Sequence, residues 1–161
     1  MSLLVTAAAL LGIASTGVIY GTDVFSALVL SPAASRATDA SVADLMGRIH
    51  EYGDRRLPVP GIAAILAAAA SAGLAHSSTT RAAAGVALLA LGAWLVIYLR
   101  ISAPVNKQLR AAASSRTVPV DTRALQRRWD SVIWLRAGLQ AVALGGLVIA
   151  LISAGTSRCK N

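Results

Sequence analysis

The sequence predicts an all-α fold: a bundle of four transmembrane helices with a cytoplasmic amphipathic helix in its first loop. Three observations carry that expectation. Of 161 residues, 56% are hydrophobic and only 14% charged, with a mean hydropathy of +0.65. Soluble domains are about a quarter charged, so this chain lacks the polar surface to face water all round. Apolar stretches recur four times near the ~20 residues needed to cross ~30 Å of hydrocarbon. Lysine and arginine gather beside those stretches on one side. At this length the chain, 1–161, has room for one domain.

The first span runs over about 3–30 and is interrupted only by Asp23. It lacks a positive leading region and outruns the apolar core of a signal peptide, so it reads as a span. The second, about 57–75, opens with Pro58 and Pro60, tolerated in a first turn whose N–H groups have no helical partner. The alanine-rich run Ala63 to Ala70 suits close helix packing. A tight polar turn at His76 to Thr80 makes the second and third spans a hairpin. The third covers about 82–103, with Arg100 near its end and Pro104 closing it. The fourth covers about 131–154, with Arg136 in its second turn and Gly155 as a C-terminal cap.

Orientation follows from the basic residues. Loops 31–56 and 104–130 carry ten of the fifteen, whereas Arg81, Arg158 and Lys160 are the three on the other side. The positive-inside bias then makes both loops cytoplasmic and both termini external, in the cytoplasmic membrane of a bacterium. The same bias accounts for the net charge of +8. No basic face lies on a soluble fold, so no nucleic-acid partner is expected. The single cysteine, Cys159, reads as a solvated tail thiol, with no zinc-ligand spacing around it.

The loops are partly ordered. Val42, Leu45, Met46, Ile49 and Tyr52 recur at helical spacing. Ser41 is the expected N-cap with Asp44 three residues on, and Asp44–Arg48 and Glu51–Arg55 are favourable pairs four apart. This helix is expected at the membrane surface or tucked under the bundle. The second loop is expected to hold a short helix at about 124–130, with coil over 114–121.

Asp23 is the first candidate for chemistry, because an ionisable group in an apolar span is expensive and marks a site by default. Thr16, Tyr20 and Asp23 share a helix face, and Gly17 with Gly21 would admit a close helix neighbour within or between chains. Arg100 and Arg136 lie at similar depth, with Gln140 one turn from Arg136. The plainer reading is an interfacial carboxylate paired with an arginine, and arginines snorkelling to headgroups. His50 titrates near neutrality and suits proton transfer; Asp54, one turn on, could orient it, and Glu51 and Arg55 would contact substrate. The plainer reading there is a solvated loop of self-satisfied ion pairs. Asn106, after the break at Pro104, would either bond a substrate oxygen or cap freed backbone. Trp129 and Trp134 read first as an aromatic belt. Asp23, His50 and Glu51 could form a mixed metal set, although no HxxxH, ExxH or CxxC spacing supports it. No cofactor is favoured; metal and haem stay open.

The order of these elements carries a resemblance. A first helix with Gly17, Tyr20 and Asp23-Val24-Phe25 is followed by Pro32, then Arg48-Ile49-His50-Glu51-Tyr52. A proline-led second helix comes next, then Ala103-Pro104-Val105-Asn106, then Trp129, Trp134 and Arg136. Over most of its length the chain resembles the anthrone-oxygenase-like family of small four-helix membrane proteins. The resemblance implies oxidation of polycyclic anthrones to anthraquinones without a conventional redox cofactor, with polar elements at Asp23, His50, Asn106 and Arg136. Val132 and Ile133 stand where the family often has an asparagine.

The function expected is therefore a membrane-embedded oxygenase acting on a hydrophobic phenolic or polycyclic aromatic molecule. His50 or Asp23 would be the base, Arg136 and Asn106 would stabilise charge, and Tyr20, Arg100, Glu51, Arg55, Trp134 and Gln140 would line the substrate's approach. Partners would be that substrate, the bilayer and a second copy of the chain. The alternative is a non-enzymatic membrane protein, a small transporter subunit or a scaffold.

Overall fold

The computed structural model describes residues 3–156, so the expectations for Cys159, Arg158 and Lys160 lie outside the described residues. Every regular element among them is helical. Five continuous helices follow one another: α1 Leu3–Arg36, α2 Asp39–Arg56, α3 Pro58–Gly73, α4 Ser78–Ser115 and α5 Thr122–Gly155, the last with a turn at 131–132. Three of them, α1, α4 and α5, are long and apolar enough to cross a membrane; α2 and α3 meet that test only as a pair, bent by 42°.

Two expected boundaries move, for one physical reason. The first helix does not stop at residue 30, and Pro104 does not close the third; both continue, to Arg36 and Ser115. A proline inside a helix removes a hydrogen bond and drives its ring into the preceding turn. Here each proline follows a five-residue π-helical stretch, Ser26–Leu30 before Pro32 and Tyr98–Ser102 before Pro104. In those stretches the N–H of Ser31 reaches back to Ser26 O, and that of Ala103 to Tyr98 O. The extra residue widens the turn ahead of the ring, and the helix passes through. Ser26 Oγ also donates to the Thr22 carbonyl at 2.8 Å.

α2 also begins earlier than expected. Its N-cap is Thr38, whose hydroxyl accepts from the Ser41 N–H at 3.2 Å. Thr38 has extended backbone geometry, the conformation a capping hydroxyl needs. Of the expected apolar stripe, Val42 and Met46 are buried, whereas Leu45, Ile49 and Tyr52 are exposed. The helix therefore packs with its His50 face inward.

Contacts divide the chain into two units. One takes the chain up to Gly21, Val59–Trp94 and the chain from Gly138; the other takes Thr22–Pro58 and Leu95–Ala137. The first is packed through small residues: Ala9, Ala64, Ala68, Ala84, Ala87, Ala143 and Ala150 are fully buried. A Cβ on Gly61 would sit 3.2 Å from Trp94, and one on Gly146 only 2.7 Å from the Ala83 carbonyl. Such packing holds helices together where lipid removes the hydrophobic incentive to associate. Outside the 76–81 turn its exposed side chains are apolar, Leu89 being 75% exposed and Leu66 63%. Arg81, bonded to the Ala75 carbonyl, is its one charged side chain among the described residues.

The second unit holds all seven acidic residues of the chain. Its core joins Val42 and Met46 of α2 to Val105 and Leu109 of α4 and to Leu125, Trp129 and Ile133 of α5. α2 approaches α4 at Gly47, where a Cβ would collide with the Leu109 carbonyl and lie 2.5 Å from Ala113 Cβ. Arg123 clasps the α1–α2 junction, donating to the carbonyls of Ala34, at 2.8 Å, and Ala37, and to Asp39 at 2.6 Å. Asp130 accepts from Ser31 and Gln126.

Candidate functional site

Within the second unit, four helices each turn polar side chains toward a common interior. On α4, Tyr98, Ser102, Asn106 and Arg110 recur every fourth residue, which places them along one face. On α5, Gln126, Trp129 and Arg136 share the stripe that also buries Ile133. α1 contributes Asp23, and α2 contributes His50 and, one turn later, Asp54.

Two carboxylates anchor the network. Arg136 donates through Nη2 to Asp23 Oδ1 at 2.7 Å and through Nη1 to Ser102 Oγ at 2.8 Å. Its guanidinium carbon lies 5.7 Å from the ring centres of both Tyr98 and Trp129, a distance at which the ring faces attract a cation. Asp54 is the second anchor. Its Oδ1 accepts from Tyr98 Oη and Asn106 Nδ2, each at 2.8 Å, and its Oδ2 from Arg110 at 3.2 Å.

His50 lies against Trp129, ring centres 5.4 Å apart and tilted by 46°. Burial pushes its imidazole down from 6.5 to about 4, since desolvation penalises the charged form; the Asp54 carboxylate pulls upward, and Arg136 and Arg110 press it down. The imidazole is therefore neutral near pH 7. Its Nε2 is buried with no hydrogen-bond partner, and the same holds for Asn106 Oδ1, Trp129 Nε1, Arg136 Nε and Gln126 Oε1. Buried polar atoms are normally paired. Beside the two anchors, an imidazole nitrogen, two N–H donors and the Asn106 amide oxygen are left open, although the groups around them are bonded; Gln126 lies apart, bonded to Asp130.

The four residues expected to carry chemistry, Asp23, His50, Asn106 and Arg136, are all buried and joined by the contacts above. The expected approach residues fare differently. Arg100 and Trp134 are exposed, because each sits on the outward side of its helix. Glu51 and Arg55 pair with each other at 2.9 Å, with Arg55 68% exposed, the self-satisfied arrangement of a solvated helix face. Tyr20, half-buried, and Gln140, fully buried, belong to the first unit. The metal set of Asp23, His50 and Glu51 does not assemble, and no group of three such ligands comes together among the described residues. Gly17 and Gly21 meet no atom within 4 Å where a Cβ would be.

Asp54, expected to orient His50, instead accepts from Tyr98, Asn106 and Arg110; Tyr98, Ser102 and Arg110 are the members that sequence reasoning left out of the site. The signal was the four-residue repeat on α4, which becomes visible only once the helix is allowed to pass Pro104. Comparison of the chain with family models, with characterised proteins and with solved structures finds no match in any of the three.

Proposed function

We propose that the second unit is the catalytic centre of a membrane-embedded enzyme that oxidises a hydrophobic phenolic or polycyclic aromatic molecule with dioxygen, as in the anthrone-oxygenase-like family that the sequence resembles. The observation that carries this reading is the unpartnered, buried, neutral imidazole nitrogen of His50 beside the unpartnered N–H groups of Trp129 and Arg136. A neutral imidazole can accept a proton, and N–H donors in a dry site stabilise the anion that results far better than water-exposed ones. Asp23 is already engaged by Arg136, so the role of base falls to His50.

The chemistry balances without a resident redox group. His50 Nε2 takes a proton from an activated ring methylene, and the electron pair delocalises onto the ring oxygen beside the Trp129 and Arg136 donors. The carbanion forms a C–O bond to dioxygen, and the peroxide takes the proton back from the imidazolium. Loss of the second C–H proton and cleavage of the O–O bond release water and leave a ketone. One methylene and one dioxygen become one carbonyl and one water.

The test is anthrone turnover by purified protein under air, measured above the uncatalysed background. Wild type should form the quinone, and His50→Gln should lose at least ~100-fold, within the range general-base groups contribute. No excess product from wild type, or an unaffected His50→Gln, rejects the reading. The non-enzymatic alternative gains support from Asp23 and Arg136, since a fully bonded ion pair needs no substrate to explain it.

We further propose that α3 completes a fourth span, with α2, bent from it by 42°, at the cytoplasmic surface. α2 carries seven charged residues, Asp39, Asp44, Arg48, Glu51, Asp54, Arg55 and Arg56, which are expensive in hydrocarbon. The second unit, with the basic residues of both loops, would then face the cytoplasm. Single-cysteine labelling at positions 40 and 117 should occur only from the inside; labelling from outside reverses the orientation.

A further inference from the structure

The amide of Asn106 has one end committed and one end free. Its Nδ2 donates to Asp54 Oδ1 at 2.8 Å, whereas its Oδ1 is buried without a partner, and the residue is only 4% exposed. The orientation is chemically forced. Turning the amide over would set Oδ1 against a carboxylate oxygen, two acceptors with no proton between them. Asp54 cannot swing away to relieve that contact, because Tyr98 Oη holds the same oxygen and Arg110 holds the other.

We propose that Asp54 is a positioning residue that locks Asn106 as a hydrogen-bond acceptor, so that the site selects ligands bearing a free hydroxyl over their methyl ethers. This inference rests on the same network being a ligand site, as proposed above, and adds the polarity of one position in it. The other open groups complete the pattern. Trp129 Nε1 and Arg136 Nε are N–H donors, so an oxygen bound between them must accept. Asn106 Oδ1 demands the opposite, a ligand O–H or N–H. A hydroxyl that reaches Oδ1 satisfies an otherwise orphaned acceptor, whereas a methoxy group leaves it orphaned and places carbon against it. A bound methyl ether covers this buried acceptor without supplying a donor, so it incurs the penalty of an unsatisfied buried group.

The experiment measures binding rather than turnover. Purified full-length protein in detergent is titrated with 1-naphthol and with 1-methoxynaphthalene, a matched pair with the same ring. Wild type should bind the naphthol at least about tenfold more tightly. Asn106→Leu should bring the two affinities within about twofold, mainly by weakening the naphthol. Asp54→Asn, which leaves Asn106 in place but lets its amide turn over, should narrow the ratio as well. Asn106→Leu decides the matter if Asp54→Asn cannot be recovered folded. Equal binding of the two compounds by wild type overturns the inference but leaves the catalytic reading standing, as does a ratio that survives Asn106→Leu. If wild type binds neither compound, both readings fall.

Discussion

Arg136 reaches across 113 residues of sequence to Asp23 and bonds it at 2.7 Å, with the two side chains 8% and 4% exposed. Both charges have left water, so each depends on the other. Breaking a buried pair from one side strands a charge and costs about 3–5 kcal/mol, whereas replacing both by apolar groups is often close to neutral. Asp23→Ala and Arg136→Met should therefore each destabilise strongly. The double variant should recover much of the loss, since Tyr98 and Trp129 offer ring faces to a methionine. Thermal unfolding of the four proteins in one detergent checks this; additive losses would mean that the pair is not coupled.

At Gly47, α2 and α4 are in close contact. Any side chain there meets the Leu109 carbonyl and Ala113, neither of which is the movable end of a flexible chain. Gly47→Ala should cost about 1–3 kcal/mol by overpacking, even though alanine is the better helix former. Gly17→Ala and Gly21→Ala meet nothing within 4 Å and should be neutral or slightly stabilising. Comparing the three melting temperatures separates packing from propensity.

Hydropathy and lone charges were the legible features. Three of the four expected spans stand out as single long helices because about 20 apolar residues have no other stable use. Asp23 and Arg136 were visible for the converse reason, being costly where they sit. Pro104 misled. It looks like a stop on local rules, and the π-helical turn that lets the chain through, like the one ahead of Pro32, has no sequence signature of its own. Stopping α4 at Pro104 split Tyr98 and Ser102 from Asn106 and Arg110 and hid their common face. The partner of Asp54 was likewise out of reach. Four residues after His50, it reads as an orienting acid, yet donors 44 to 56 residues away claim it.

Arg123 closes the corner between α1 and α2 with three donors. Its targets include the carbonyls of Ala34 and Ala37 at the end of α1, where backbone acceptors lack helical partners and a cation is favoured by the helix dipole. A lysine offers one point charge rather than a planar fork. Arg123→Lys should thus behave nearly as badly as Arg123→Ala, opening the 36–39 junction to hydrogen exchange and proteolysis with the α4–α5 core intact. Full rescue by lysine would show that charge alone is what this corner requires.

His50 makes stability depend on pH in a calculable direction. Its imidazole titrates at about 4 in the folded protein against 6.5 as a free side chain. Between those values the unfolded chain binds a proton that the folded chain does not, so stability falls as pH drops from 6.5 toward 4 and levels off below. The full effect is about 3 kcal/mol at most. His50→Leu should remove this part of the acid sensitivity, seen as a smaller loss of melting temperature between pH 7 and pH 4.5 than wild type suffers. The same shift bears on catalysis. A base whose proton affinity is this low stays competent through mildly acid conditions, so kcat/KM should remain flat where an ordinary histidine would already have lost activity. A turnover profile that instead breaks near 6.5 would mean that the reacting imidazole is solvated, and that the desolvated pocket around His50 and Trp129 is not where the proton moves.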